Sequence, residues 1–150
     1  MNSSNADVLL VEDSAAEARL AREAFLETPF PVQLHVACDG TQAMDFLRKR
    51  GSFKQAPRPH LVLLDLNLPG KDGREVLRDI KADDDLRRIP VVVLTTSQAE
   101  SDIHRAYELY ANCYIQKPLD LDGFIEIVKS IHRYWLQLAE LPYSGVYCAL

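Results

Sequence analysis

Short apolar runs alternate with helix-type patterns along the 150-residue chain, and this alternation limits the fold more than any other feature. Each run has the length of a buried strand, whereas the stretches between runs repeat apolar residues every three or four positions, as an amphipathic helix does. One segment instead alternates apolar and polar residues, as an edge strand does. The predicted strands are VLLV at 8–11, the alternating VQLHV at 32–36, LVLL at 61–64, VVVL at 91–94 and CYI at 113–115. Repeated β–α units of this kind predict an α/β fold with five strands and five helices.

Helix-start signals agree with this count of elements. Ser14 and Glu17 have the S-x-x-E spacing of a capping box that opens a first helix. Because each strand returns through a helix, we expect right-handed crossovers and a parallel, doubly wound sheet with helices on both faces, in three layers. The last helix is predicted over about 121–138. We therefore expect a single domain over 1–138 and a C-terminal extension over 139–150.

Charge and apolar content argue against several classes of function. The net charge is −5 and no block of five or more like charges occurs, so we expect no contact with nucleic acid. No apolar run approaches the roughly 18 residues that span a bilayer, and the N-terminus lacks the basic region of an export signal, so no membrane partner is expected. Cys38, Cys113 and Cys148 show no C-x-x-C spacing, which favours reduced thiols in a cytoplasmic protein, with Cys148 the thiol most open to oxidation.

The predicted strands end in polar residues that can carry chemistry. Glu12 and Asp13 follow the first strand, while Asp65, Thr95 and Lys117 stand at the ends of later ones. A single acid at such a position is often only a turn or helix-cap residue. The carboxyl ends of parallel strands share the sheet edge where ligands of open α/β folds bind, so these side chains are expected to converge. Carboxylates crowded in one pocket resist joint ionisation unless a cation neutralises them, and oxygen ligands favour Mg²⁺ as the cofactor.

Four motifs, VLLVEDS, LVLLDLNLPGKDG, IPVVVLTTS and YIQKP, together resemble the receiver domain of two-component response regulators, over about residues 7–138. The resemblance implies the CheY-like fold, with strands in the order 2-1-3-4-5, and a cis peptide bond between Lys117 and Pro118. It also implies roles for individual residues: Asp65 as phosphoacceptor, Lys117 as phosphate-pairing lysine, Thr95 as switch hydroxyl, Tyr114 as rotating aromatic, and Glu12, Asp13, Asp65 and the main-chain carbonyl of Asn67 as metal ligands.

The resemblance implies the function of a response regulator. Asp65 would take a phosphoryl group from a phosphohistidine of a sensor histidine kinase, in a Mg²⁺-dependent reaction that the regulator itself catalyses. Thr95 would then turn its hydroxyl toward the phosphoryl group, and Tyr114 would move inward from an outward rotamer into the space that this leaves. Without a second domain, the expected output is altered protein contacts or dimerisation. The protein is therefore expected to be a phosphoacceptor in signalling rather than an enzyme with a separate substrate.

Three other functions share part of this pattern. A haloacid-dehalogenase-like aspartyl-phosphate phosphatase also uses an Asp after an apolar strand, but it needs a second acid two positions later, where this chain has Asn67. A flavodoxin-like flavin binder needs a hydroxyl- and Gly-rich phosphate loop, and Glu12 and Asp13 would repel that phosphate. An inert receiver-like interaction scaffold would not require all the strand-end residues together.

The last helix and the residues after it carry more apolar surface than one core requires. One stripe can face the sheet while a second remains for a partner, and LPYSGVYCAL at 141–150 either contacts a partner or folds back on its own domain. The motifs, with the YWL…LP ending, resemble regulators paired with phytochrome-type histidine kinases. This resemblance implies such a kinase as partner and a homodimer through the last helix and its extension, with contacts from Phe124, Ile127, Tyr134, Trp135, Pro142 and Tyr143.

Overall fold

The predicted apolar runs become the strands of one parallel sheet in the computed structural model, which describes residues 6–142. The strands span Ala6–Val11 (β1), Val32–Ala37 (β2), Leu61–Leu64 (β3), Val91–Thr95 (β4) and Cys113–Gln116 (β5). Their order across the sheet is β2-β1-β3-β4-β5, which confirms the predicted topology. All four residues of the central strand β3 are buried because helices cover both faces of the sheet.

Within residues 6–142, five α-helices connect or follow the strands. They span Ala15–Leu26 (α1), Gly40–Leu47 (α2), Gly73–Ala82 (α3), Glu100–Glu108 (α4) and Leu121–Ile131 (α5), and short 3₁₀ turns lie at Gly51–Phe53 and Leu86–Arg88. Four of the helices begin at a side-chain cap, because Ser14, Asp39, Asp72 and Asp120 each accept a hydrogen bond from a backbone N–H of the first turn. Such a bond satisfies one of the donors that a helix start leaves free.

Strand side chains alternate between two apolar cores, one on each face of the sheet. Leu9 and Leu64 belong to the core beneath α2, α3 and α4, whereas Leu10 and Leu63 belong to the core beneath α1 and α5. This alternation follows from the two-residue period of a strand. Because both faces are packed, the carboxyl ends of the strands are held in fixed relative positions at one edge of the sheet.

The last helix changes character before its predicted end. The α-helical part stops at Ile131, and His132–Leu138 continues as a π-helix, with the Ala139 N–H donating to the Tyr134 carbonyl at 2.8 Å. Within the π-helical stretch, Trp135 and Leu136 still pack, partly buried, against the core beneath α5. Leu138, at the predicted end of the helix, is 70% exposed. Phe124, expected at a dimer contact, is instead buried against the sheet, so it has almost no surface to offer a partner.

Two further predictions from the sequence concern the peptide bond before Pro118 and the lack of a membrane-spanning helix. The structure has no cis peptide bond among residues 6–142, so the cis Lys117-Pro118 bond was a wrong prediction, and Lys117 reaches the sheet edge from the trans form that X-Pro bonds favour by roughly 0.5–1 kcal/mol. Among residues 6–142, each helix is too short or too polar to span a bilayer. Tyr143 and Cys148 lie outside the described residues.

Candidate functional site

Four buried polar residues lie at the carboxyl edge of the sheet. Glu12 follows β1, Asp65 follows β3, Thr95 ends β4 and Lys117 follows β5. They are 3, 8, 0 and 4% exposed, and His132 is the only other polar or charged residue buried to this degree among residues 6–142. Buried polar groups need hydrogen-bond partners, and each of these four has one within the site. The structure thus brings four of the predicted site residues together.

The Lys117 ammonium lies at the centre of the site. Its Nζ donates to Glu12 Oε2 at 2.5 Å and to Asp65 Oδ2 at 2.9 Å, and a third bond of 3.0 Å goes to Glu17 Oε2. Charge-assisted hydrogen bonds of this length are the strong ones in proteins. The lysine therefore bridges β1, β3 and the first turn of α1, and it holds the Asp65 carboxylate in place.

Burial and charge act in opposite directions on these groups. Burial raises the pKa of Glu12 to about 7, because it outweighs the hydrogen bonds from Lys117 and from the Ser14 N–H that favour the carboxylate. Burial alone would lower the pKa of Lys117, but its hydrogen bonds to Glu12 and Asp65 more than compensate and raise that pKa. Lys117 is therefore a permanent cation, while Glu12 exchanges a proton near neutral pH.

Glu17 is the site residue that the sequence reasoning missed. Its S-x-x-E spacing was interpreted as a capping box, and half of that motif exists, since the Glu17 N–H donates to Ser14 Oγ at 3.3 Å. The reciprocal bond does not form, because the Ser14 N–H donates to Glu12 Oε1 instead. The Glu17 carboxylate turns to Lys117. The sequence signal for this contact was a third acid on the first turn after Glu12 and Asp13.

The other two predicted metal ligands are placed differently. Asn67 lies beside the site, because its N–H donates to Asp65 Oδ1 at 3.0 Å and its side-chain amide approaches Thr95 Oγ1 at 3.5 Å. Asp13 is exposed, and in the described part of the chain it does not join the group of acids whose oxygens lie within 4.8 Å of one another. That group consists of Glu12, Glu17 and Asp65.

The connection after β3 packs tightly against the start of α3. Gly73 opens this helix, and its N–H donates to the Leu66 carbonyl at 3.1 Å. A Cβ at position 73 would lie 2.3 Å from the carbonyl oxygen of Asp65, closer than any side chain can approach. Glycine is therefore required here, and the contact orients the backbone from which Asp65 projects.

The donor set fits a hard divalent cation. Glu12, Glu17 and Asp65 offer carboxylate oxygens within 4.8 Å of one another, and Lys117 supplies one positive charge against their three negative ones when all are ionised. A divalent ion would neutralise the remaining charge, and Mg²⁺ and related ions prefer oxygen ligands. The residues present therefore suit such an ion in both charge and chemistry.

The raised pKa of Glu12 predicts pH-dependent metal binding. A metal ion needs the carboxylate, whereas the metal-free protein carries a proton on Glu12 in part of its molecules near pH 7. We expect Mg²⁺ affinity to increase about tenfold between pH 6 and pH 8, with release of up to one proton per ion bound. Calorimetric titration in two buffers of different ionisation enthalpy measures both quantities. A Glu12→Gln control should lose the dependence, and an affinity that is constant over this range would contradict the prediction.

Tyr114 is attached to the loop after β4. Its side chain is half-buried, and its hydroxyl donates to the Ser97 carbonyl at 2.9 Å. The Ser97 hydroxyl donates to Asp102, which also accepts from Arg74 on the first turn of α3. These bonds hold the pKa of Asp102 below its usual value, with Ser97 the larger cause and Arg74 the next. A chain of hydrogen bonds thus joins α3, α4 and β5 through the loop that follows Thr95.

Comparisons with known proteins agree with this geometry. Residues 8–129 match the response regulator receiver domain family. The chain is 49% identical over 135 residues to the response regulator Rcp1 of Synechocystis sp., covering 90% of this chain and 92% of that protein. The fold resembles that of the phosphorylated cyanobacterial phytochrome response regulator RcpA, with a TM-score of 0.90, 48% identity and coverage of 93% of this chain and 100% of that one.

Two further solved structures are similar. The Mn²⁺-bound form of Rcp1 has a TM-score of 0.88 at 48% identity, over 92% of this chain and 99% of that one. The bacteriophytochrome response regulator AtBRR has a TM-score of 0.72 at 40% identity, over 91% and 99% of the two chains. These likenesses favour a receiver over a haloacid-dehalogenase-like phosphatase. The chain therefore belongs to the response regulator receiver domain family, whose members accept a phosphoryl group on an aspartate.

Proposed function

We propose that Asp65 is the residue that accepts the phosphoryl group. The observation that carries the proposal is the position of its carboxylate at the sheet edge, 2.9 Å from Lys117 Nζ and 3.0 Å from the Asn67 N–H. A carboxylate oxygen attacks the phosphorus of a phosphohistidine, a P–O bond forms, the P–N bond breaks, and the imidazole leaves with the electron pair. Lys117 stabilises the charge on the phosphoryl oxygens during transfer.

Magnesium is the proposed cofactor. Glu12 and Asp65 would hold it, with Glu17 close enough to contribute and with Asp13 and the Asn67 carbonyl as the ligands that the family resemblance adds. When bound, the ion supplies positive charge to the phosphoryl oxygens, the chemistry on which phosphoryl transfer depends. The Mn²⁺-bound structure of Rcp1 supports a divalent ion in a related chain.

The protein is proposed to catalyse its own phosphorylation and dephosphorylation. The groups needed for transfer belong to this chain, so a small phosphodonor such as acetyl phosphate can replace the kinase. With acetyl phosphate and Mg²⁺ we expect a gain in mass of one phosphoryl group, and addition of a chelator should prevent it. A chain that gains no mass under these conditions would contradict the proposal.

Thr95 and Tyr114 are the proposed switch. Thr95 Oγ1 lies next to Asn67 and is fully buried, so its hydroxyl can turn toward oxygens added at Asp65. Tyr114 is tied to the Ser97 carbonyl on the loop that follows β4. A shift of Thr95 would move this loop and bias the position of the tyrosine, which is how a local charge change reaches a surface.

A phytochrome-type histidine kinase is the proposed partner. RcpA is described as a phytochrome response regulator and AtBRR as a bacteriophytochrome response regulator, at 48 and 40% identity to this chain. Transfer of labelled phosphate from a purified kinase of this type to Asp65 tests the pairing. The cytoplasmic location, the absence of nucleic-acid contact and the division of the chain at residue 138 stay predictions from the sequence.

A homodimer through the last helical stretch is the proposed assembly. A groove of about 370 Å³ lies between β5, α5 and the π-helical residues, and Ile127, Tyr134 and Trp135 line it together with Cys113 and Ile115. These are mostly apolar side chains at an open edge of the sheet, the kind of surface that a second chain covers. Of the other predicted contacts, Pro142 is exposed, whereas Phe124 belongs to the core.

The dimer prediction is tested by size measurement. An Ile127→Glu variant places a charge in the groove and is expected to shift the protein from dimer to monomer, because an unpaired charge buried in an interface is costly. Tyr107→Ala, which removes a half-exposed tyrosine on α4, is the matched control and should leave the dimer intact. A chain that is monomeric without any substitution would contradict the assembly, and one truncated after Leu138 that stays dimeric would remove the C-terminal extension from it.

A further inference from the structure

The Lys117 ammonium has no hydrogen atom left for a phosphoryl oxygen. An ammonium group has three N–H donors, and here Glu12, Asp65 and Glu17 accept one bond each, at 2.5, 2.9 and 3.0 Å. A phosphoryl group on Asp65 needs at least one of these donors for its own oxygens. One carboxylate must therefore give up its bond to Lys117 before or during transfer.

Glu17 is the carboxylate that can leave most easily. Its side chain is 37% exposed, whereas those of Glu12 and Asp65 are 3 and 10% exposed. A released Glu17 carboxylate would be solvated by water, while release of Glu12 would leave a buried carboxylate without its cation, with only the Ser14 N–H as a donor. The position of Glu17 on the first turn of α1 does not depend on this bond, because its N–H is held by the Ser14 hydroxyl.

We propose that Glu17 is a positioning residue that occupies the third N–H of Lys117 in the unphosphorylated protein and thereby slows phosphoryl transfer to Asp65. The proposal rests on Asp65 being the phosphoacceptor. Glu17 acts through Lys117: it holds the ammonium away from incoming phosphoryl oxygens, and its release frees the donor that the transfer requires. The residue thus sets the threshold at which the regulator responds to its phosphodonor.

The experiment measures the rate of phosphorylation by acetyl phosphate at saturating Mg²⁺, where Asp65 attacks phosphorus and acetate leaves. Glu17→Gln is expected to increase the rate about three- to tenfold, the range for removing one charge-assisted bond at a part-exposed site. Glu23→Gln removes the same charge from an exposed position on the same helix and should leave the rate unchanged. Equal acceleration in both variants, or none in Glu17→Gln, would overturn the proposal.

A double-mutant cycle separates action through Lys117 from a general effect of charge. In a Lys117→Gln background, with Mg²⁺ kept saturating for every variant, Glu17→Gln is expected to change nothing, because the ammonium for which it competes is gone. The same four proteins are compared by beryllofluoride affinity, which is measurable even where labelling is slow. If Glu17→Gln still increased the rate or the affinity in the Lys117→Gln background, the proposal would be wrong. Absence of labelling in the unsubstituted chain would instead refute the role of Asp65, so the two failures are distinct.

Discussion

The Asp65→Asn variant is expected to gain no mass with acetyl phosphate and Mg²⁺, while the unsubstituted chain gains one phosphoryl group. An amide oxygen is too weak a nucleophile to attack phosphorus, and the substitution removes one of the carboxylates that suit a divalent ion. The fold should persist, because asparagine has the same shape and the backbone around it is held by β1 and by Gly73. We also expect weaker Mg²⁺ binding.

The hydrogen bonds around position 65 show why the loss is chemical rather than structural. Asp65 accepts from both the Asn67 N–H and Lys117 Nζ, and an amide can accept only through its oxygen, so one of the two bonds is lost. One such bond to a charged group is worth about 1.5–3 kcal/mol, which relief of repulsion from Glu12 partly offsets. Asp122→Asn, at an exposed position on α5, is the control and should be labelled normally. Equal labelling of both variants would exclude Asp65 as the acceptor.

Removal of the Lys117 charge is expected to have the largest effect on stability. Lys117→Met keeps most of the apolar stem but leaves Glu12, Glu17 and Asp65 without their common cation. Breaking a buried ion pair from one side costs about 3–5 kcal/mol, because the charge that remains has no partner. We expect a loss of this size in the free energy of unfolding in the presence of a chelator, measured by urea denaturation.

Two conditions should modify this loss. Mg²⁺ is expected to restore more stability to Lys117→Met than it adds to the unsubstituted chain, because the ion then neutralises all three carboxylates. The pKa of Glu12 is raised in the folded state to about 7 from 4.5, so its contribution to stability is full below pH 4.5 and is lost as the pH rises through 7. Without the lysine this pKa rises further, so the difference between the two proteins should be greater at pH 8 than at pH 5.

A matched surface substitution gives the scale for this measurement. Lys129→Met removes a half-exposed lysine whose nearest acid, Glu27, lies 3.9 Å away. Exposed pairs of this kind contribute about 0–1 kcal/mol, so Lys129→Met should change the free energy of unfolding little. If Lys117→Met were no more destabilising than Lys129→Met, the buried cluster would not depend on the lysine as the structure indicates.

Much of the fold followed from apolar periodicity. LVLL at 61–64 was bounded correctly as β3 because a strand buried on both faces must be apolar throughout, and polar residues flank it on either side. The last helix was less predictable. Its apolar residues continue to Leu138 at helical spacing, and no local signal announces the wider turns from His132 onward. Those turns accompany tertiary contacts, among them the packing of the buried His132 ring against Phe25 and Phe30.

The residues of the candidate site likewise include some that the sequence could identify and one that it could not. Asp65, Thr95 and Lys117 could be identified because each stands at a strand end, and parallel strands bring such positions to one edge. Glu17 could not be identified in this way. The S-x-x-E spacing fits both a capping box and a contact with Lys117, and these differ only in the direction of the Glu17 side chain. The Glu17 carboxylate turns to Lys117, 100 residues further along the chain, because the ammonium attracts it.

The sequence by itself therefore determined the order of elements, the two faces of the sheet and the residue types at its carboxyl edge, since these depend on periodicity and on position along each strand. Tertiary structure alone decided which acids share the lysine, that Phe124 belongs to the core rather than to a partner surface, and that Tyr114 is bonded to the loop after β4. Such choices depend on distances between elements that are remote in the chain, and a local pattern carries no record of those distances.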